Sequence, residues 1–111
     1  MKLESQHRGD MIVIRVMDNR IDAAGAIQFK ERMRELIAEP SDRIVLDMSN
    51  VGFLDSSGLG AVVSVMKVLD PVRRLELSGL TPTVEKVFRL TRMDSVFIIH
   101  KTLPQEWRNA G

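Results

Sequence analysis

The stretch SGLGAVVSVMKVL, residues 57–69, decides the fold, and it can be read two ways. Val62, Val63, Val65 and Val68 are β-branched and favour a strand. The run is longer than an ordinary strand, however, and it opens on residues that cap helices, so we read a helix. The residues before it, RIVLDM (43–48), place Ile44, Val45 and Leu46 in succession and predict a strand buried on both faces. Between them lie a polar turn, Ser49-Asn50, and the short apolar stretch VGFL. Strand, loop and helix in that order make one unit of an α/β sheet.

Working outward, residues 3–8 and 11–17 read as two strands joined by a tight turn at Gly9-Asp10. Asp22 offers a cap to a one-sided helix in which Ala26, Phe29, Met33, Leu36 and Ile37 recur at spacings of three and four. Glu39-Pro40 ends it. RRLEL (73–77) is a fourth strand, and Thr81-Pro82 opens a helix lined by Val84, Val87, Phe88 and Leu90. VFIIH (96–100) is a fifth strand, and Leu103 to Asn109 suggest a short terminal helix. The expectation is an α/β domain: a mixed sheet of about five strands, an N-terminal hairpin followed by alternating strands and helices, and about four helices.

The chain has 111 residues and suits one compact domain over 1–111. Its net charge of +1, from 16 basic and 15 acidic side chains, lacks the basic excess of a nucleic-acid module. Arg73-Arg74 and the Arg89/Arg92 pair are the basic clusters, and we read both as solvated faces. The absence of cysteine excludes disulfides and thiolate metal sites. The polar start MKLESQHRGD lacks a signal-peptide pattern, and no apolar run reaches the roughly 20 residues that span a bilayer. These features give the expectation of a cytoplasmic protein with no membrane or nucleic-acid partner, no metal and no cofactor.

The chemistry concentrates where the decisive helix begins. Asp55, Ser56 and Ser57 can each cap a helix, yet a helix start uses one such residue, worth about 1 kcal/mol. Gly58 and Gly60 each cost roughly 1 kcal/mol relative to alanine inside a helix. Bare backbone there lets another molecule, or a packed neighbour, come close. A helix N-terminus also receives phosphate well. A phosphoryl group on Ser56 would add roughly −1.5 to −2 charge beside Asp55.

Enzymatic readings fit less well. In Gly58-Leu59-Gly60-Ala61-Val62-Val63 the last valine takes the place of the third glycine of a dinucleotide fingerprint, although Glu76 lies at a tempting distance on the next strand. A serine hydrolase using Ser56 or Ser57 with Asp94 and His100, or with His7, lacks the G-x-S-x-G elbow. A phospho-aspartate receiver at Asp47 lacks the acidic pair and the late lysine it would need. Two histidines far apart in sequence make no metal site.

The segment IVLDMSNVGFLDSSGLGAVVSVMKVL closely resembles the core of the anti-sigma-factor antagonists, bacterial single-domain members of the STAS family. The likeness extends from the first hairpin to TPTVEKVFRLTRMDSVFIIH, and D-S-[ST]-G-x-G in this order of elements is specific to the family. The resemblance implies a STAS-like sheet and a non-enzymatic partner switch. Ser56 would be phosphorylated by an anti-sigma factor, a serine kinase with a histidine-kinase-like ATPase fold. The unmodified protein would bind that kinase, phosphorylation would break the binding, and a metal-dependent serine phosphatase would restore it. Ser57, Gly58 and Gly60 match the rest of the signature, and Asp22 matches an acidic residue of the kinase-facing surface.

Two stretches depart from the family. Asn19-Arg20-Ile21-Asp22 stands where relatives carry Gly-Glu-Leu-Asp; asparagine tolerates positive φ, while Arg20 alters the charge beside the site. Leu69-Asp70-Pro71 replaces a glycine-rich turn. Two alternatives stay open: a STAS adaptor subunit in which Ser56 is only part of a cap, and a small nucleotide-binding enzyme. STAS domains of anion transporters would need an attached membrane domain.

Overall fold

A computed structural model describes residues 1–69, 71–105 and 107. The chain opens with β1 (Leu3–Arg8) and β2 (Met11–Val16), an antiparallel hairpin whose turn uses Gly9 at φ +58°, a conformation glycine adopts without a Cβ penalty. A two-residue strand β3 (Arg20–Ile21) leads into helix α1 (Ala23–Leu36). Then come β4 (Arg43–Asp47), a second two-residue strand β5 (Phe53–Leu54) and helix α2 (Ser56–Leu69). Strand β6 (Arg74–Ser78), helix α3 (Pro82–Leu90), a 3-10 turn (Met93–Ser95) and β7 (Ile98–His100) complete the order.

The main sheet runs β1-β2-β4-β6-β7, antiparallel in the hairpin and parallel thereafter, so the expected mixed sheet of five strands is present. The valine-rich run is a helix, as its length and caps predict. The sequence did not announce β3 and β5, which form a separate parallel ladder. The described residues hold three α-helices rather than about four. Between α3 and β7 the chain makes only the 3-10 turn, and the terminal helix expected over 103–109 falls partly outside the described residues. So does Asp70 in the Leu69–Pro71 turn.

Alternation along the strands sorts side chains onto two faces. Ile12, Ile14, Val16, Ile44, Leu46, Leu75 and Leu77 form one buried cluster with Phe29 and Met33 of α1, Val62 and Val65 of α2, and Val84 and Phe88 of α3. The edge of Phe88 meets Phe97 at a centroid distance of 5.7 Å and an interplanar angle of 76°. On the other face Met11, Val13 and Val45 are covered by Trp107 with Leu103. Arg8 holds this cover: its guanidinium lies 4.3 Å from the Trp107 ring centroid and donates to the Trp107 carbonyl at 3.0 Å.

Arg73, read from the sequence as part of a solvated basic pair, is a structural clasp. Its guanidinium donates to the backbone carbonyls of Ile37, Glu39 (2.8 Å) and Ser41 (2.7 Å), and to the Ser41 hydroxyl (2.7 Å). It thereby neutralises the negative end of α1 and ties it to the start of β6. Arg73→Ala is expected to cost about 2 kcal/mol in urea unfolding, with Arg73→Lys recovering less than half, because one ammonium cannot reproduce a planar fork of donors.

The second sheet face also buries a carboxylate. Glu76, 2% exposed, accepts from Arg43 Nε and Nη2, both at 2.8 Å, and from His100 Nε2 at 2.7 Å. Burial alone would push its pKa up, but the Arg43 and His100 hydrogen bonds and charges outweigh that and hold it below the ordinary 4.5. With the folded pKa below the unfolded one, the stabilisation is present above the unfolded value and is lost as pH falls through the folded value. Glu76→Gln is therefore expected to be less stable at pH 7 and to lose less further stability on acidification below pH ~4.5, measured by urea titration at both pH values.

Candidate functional site

The β3–β5 ladder brings the two helix entrances together. Its register pairs Arg20 with Phe53 and Ile21 with Leu54, and the Asp55 N–H continues it by donating to the Ile21 carbonyl at 3.4 Å. Ile21 and Leu54 turn inward and are buried. Asp22 and Asp55 therefore sit side by side, each one residue beyond the ladder, at the starts of α1 and α2.

Each carboxylate has two partners. Asp22 Oδ1 accepts from Gly25 N at 3.1 Å, capping α1, and its Oδ2 accepts from Arg20 Nε at 3.0 Å. Asp55 Oδ1 accepts from Gly58 N at 2.8 Å, capping α2. Its Oδ2 reaches across to Ala23 N at 3.2 Å, the first N–H of α1. One side chain thus satisfies donors from both helices, and α1 and α2 start at a common point.

Asp55 alone does the capping, which leaves Ser56 and Ser57 with no capping task. Both are exposed, and neither hydroxyl is hydrogen-bonded to another described group. The two glycines differ. A Cβ on Gly58 would stand 2.2 Å from the Ile21 carbonyl oxygen and 2.8 Å from Leu54 Cδ1, so Gly58 is bare because β3 packs against it. A Cβ on Gly60 would meet nothing within 4 Å, and Gly60 is exposed.

Asn19 does not use the positive φ its side chain would tolerate; among the described residues Arg92, at φ 61°, is the sole non-glycine that does. The loop is held instead by the ladder and by Gly52 N donating to the Asn19 carbonyl at 2.8 Å. Arg20 does lie beside the site: it pairs with Asp22, and its guanidinium rests 4.7 Å from the centroid of the Phe53 ring, itself 42% exposed. Residue patterns gave no warning of the Ala23–Asp55 bond or of the Arg20–Phe53 contact, since both join segments far apart in sequence.

The catalytic alternatives do not assemble. Asp94 and His100 line one cleft of about 470 Å³ together with Leu80, Phe88 and Lys101, but Ser56 and Ser57 do not line it. Asp47 is buried and committed to Arg15 Nε (3.0 Å) and Ser49 N (2.9 Å), which suits a structural role rather than a phosphate acceptor. Val63 packs against the core in the place where a dinucleotide fold has its third glycine.

The sequence profile of the STAS domain matches residues 2–106. The chain belongs to the STAS domain family. This STAS domain is similar to sulfate transporter 3.1 of Arabidopsis thaliana, with 36% identity over 107 residues, covering 86% of this chain but spanning only 16% of the transporter. It is also similar to BtrV of Bordetella bronchiseptica, a candidate anti-sigma factor antagonist, with 29% identity over 89 residues, 79% of this chain and 77% of BtrV. Among solved structures, an anti-sigma factor antagonist from Mycobacterium paratuberculosis superposes with a TM-score of 0.82 at 22% identity, over 92% of this chain and 86% of that one. Phosphorylated SpoIIAA, a Bacillus cell fate determinant, matches with a TM-score of 0.70 at 22% identity, over 99% of this STAS domain and all of that chain (100%). At these identities the structural matches speak for the fold. No helix among the described residues is long and apolar enough to cross a membrane.

Proposed function

We propose that this STAS domain is an anti-sigma-factor antagonist, a cytoplasmic partner switch that itself catalyses nothing. Unmodified, it binds an anti-sigma factor that is also a serine kinase of histidine-kinase-like ATPase fold. The kinase transfers the γ-phosphoryl group of ATP to Ser56 Oγ, with release of ADP and of the hydroxyl proton, and the modified protein is let go. A metal-dependent serine phosphatase hydrolyses the ester and restores binding. The docking surface comprises Asp22, Asp55, Ser56, Ser57 and the open backbone at Gly60, with Gly58 fixing the entrance from beneath.

One observation carries this reading: Ser56 presents an exposed hydroxyl with no hydrogen-bond partner among the described residues, directly after the aspartate that does the capping. The likeness to BtrV supports it. The test is to incubate the protein with ATP and a candidate anti-sigma kinase, then locate phosphate by peptide mass spectrometry. Phosphate should map to Ser56 and vanish in Ser56→Ala; phosphate persisting on another residue would reject the assignment.

A second reading rests on the 36% identity to a sulfate transporter: a STAS module serving a membrane transporter, with Ser56 part of a cap. It predicts no phosphorylation by any kinase of the anti-sigma class, together with direct binding to the transporter's membrane domain.

A further inference from the structure

The ladder beside Ser56 carries a cation where its geometry otherwise gathers negative charge. Strand alternation turns Ile21 and Leu54 inward and Arg20 and Phe53 outward, and Asp22 and Asp55 follow on the outward side one step further on. Among the described residues, Arg20 is the cation paired with either carboxylate. It is lightly held. Its side chain is 58% exposed, its bond to Asp22 is a single Nε contact of 3.0 Å, and its other neighbour is the Phe53 ring, whose centroid lies 4.7 Å from the guanidinium carbon. Asp22 does not depend on Arg20 for its position, because its other oxygen caps α1 through Gly25 N.

We propose that Arg20 is the phosphate receiver of this site: once Ser56 is phosphorylated, the Arg20 guanidinium leaves Asp22 and Phe53 and pairs with the phosphoryl oxygens. This rests on Ser56 being the acceptor. A phosphate bearing nearly two charges and three acceptor oxygens outcompetes a carboxylate for a guanidinium, whose fork of donors matches phosphate geometry. Leaving an exposed pair costs little. The swap changes more than the net charge of the docking face: Asp22 loses its counter-ion, and the Phe53 ring loses its cover. The surface the kinase bound is thereby altered on both sides of Ser56, and the ester is partly shielded.

The test needs no kinase. Phosphoserine is placed at position 56 of the full chain by genetic encoding, and its second ionisation is followed by phosphorus-31 NMR in the parent, in Arg20→Gln and in Arg20→Lys. The expected result is a phosphoserine titration about half a pKa unit lower in the parent than in Arg20→Gln, roughly a threefold change in proton affinity. Arg20→Lys keeps part of that difference, and the Arg20 Nε–H resonance shifts between unmodified and phosphorylated protein. Identical titrations in the parent and Arg20→Gln, with an unmoved Arg20 resonance, would overturn the proposal. Failure of any kinase to modify Ser56 would leave this measurement unchanged, so the two readings fail separately.

Discussion

Gly58→Ala is expected to lower stability by about 3 kcal/mol, while Gly60→Ala, two residues on, raises it by up to ~1 kcal/mol. The contrast follows from what each added methyl would meet. At Gly58 the new carbon falls 2.2 Å from the Ile21 carbonyl oxygen and 2.9 Å from the Ile21 carbonyl carbon, both backbone atoms of a paired strand. No side-chain rotation relieves such a clash, so α2 must back away from β3. That movement would also stretch the Asp55 bonds to Gly58 N and Ala23 N. At Gly60 there is open space, and alanine simply restores helix propensity. Urea unfolding followed by circular dichroism checks both; a Gly58→Ala protein as stable as the parent would refute the close approach of α2 to β3. If Gly60 is bare for the sake of a partner, the stabilised Gly60→Ala protein should nonetheless bind the anti-sigma kinase more weakly.

The second large effect concerns Ser56. Ser56→Asp is expected to weaken kinase binding about tenfold and full phosphorylation about a hundredfold, some 1.4 and 2.7 kcal/mol, whereas Ser56→Ala stays near the parent. A partner that accommodates an uncharged hydroxyl beside one carboxylate must desolvate each added charge without a counter-charge of its own. Aspartate adds one negative charge, phosphate nearly two, and the ranking follows that count. Because the Ser56 hydroxyl has no hydrogen-bond partner among the described residues, none of these changes should disturb folding. Calorimetric titration of the kinase into each protein measures the series; equal affinities for Ser56→Asp and Ser56→Ala would contradict the charge mechanism.

Much of this was legible in the sequence because long elements repeat their pattern. The spacing of Ala26, Phe29 and Met33 gives α1 its buried stripe, and the consecutive Ile44, Val45 and Leu46 place β4 at the centre of the sheet. Even the valine-rich α2 declared itself through its length and its caps. What stayed hidden was short or long-range. β3 and β5 have two residues each, too few to show a period, yet their pairing joins the entrances of α1 and α2. Asp55 reads as a cap for its own helix, and nothing local reveals that its second oxygen serves Ala23. Arg73 looks like a surface charge until the end of α1 folds back beneath it. Gly58 and Gly60 are the same letter in the sequence, and only the packed neighbour at Ile21 tells them apart.

Trp107 is the sole tryptophan of the chain, and it lies under the Arg8 guanidinium, across the sheet from α1 and α2. Its fluorescence therefore watches the packing of Trp107 on Met11, Val13 and Val45, on the face away from the helix entrances. A red shift of that emission on mild heating, ahead of the loss of helical signal, would mark Trp107 leaving the sheet while the rest of the molecule holds.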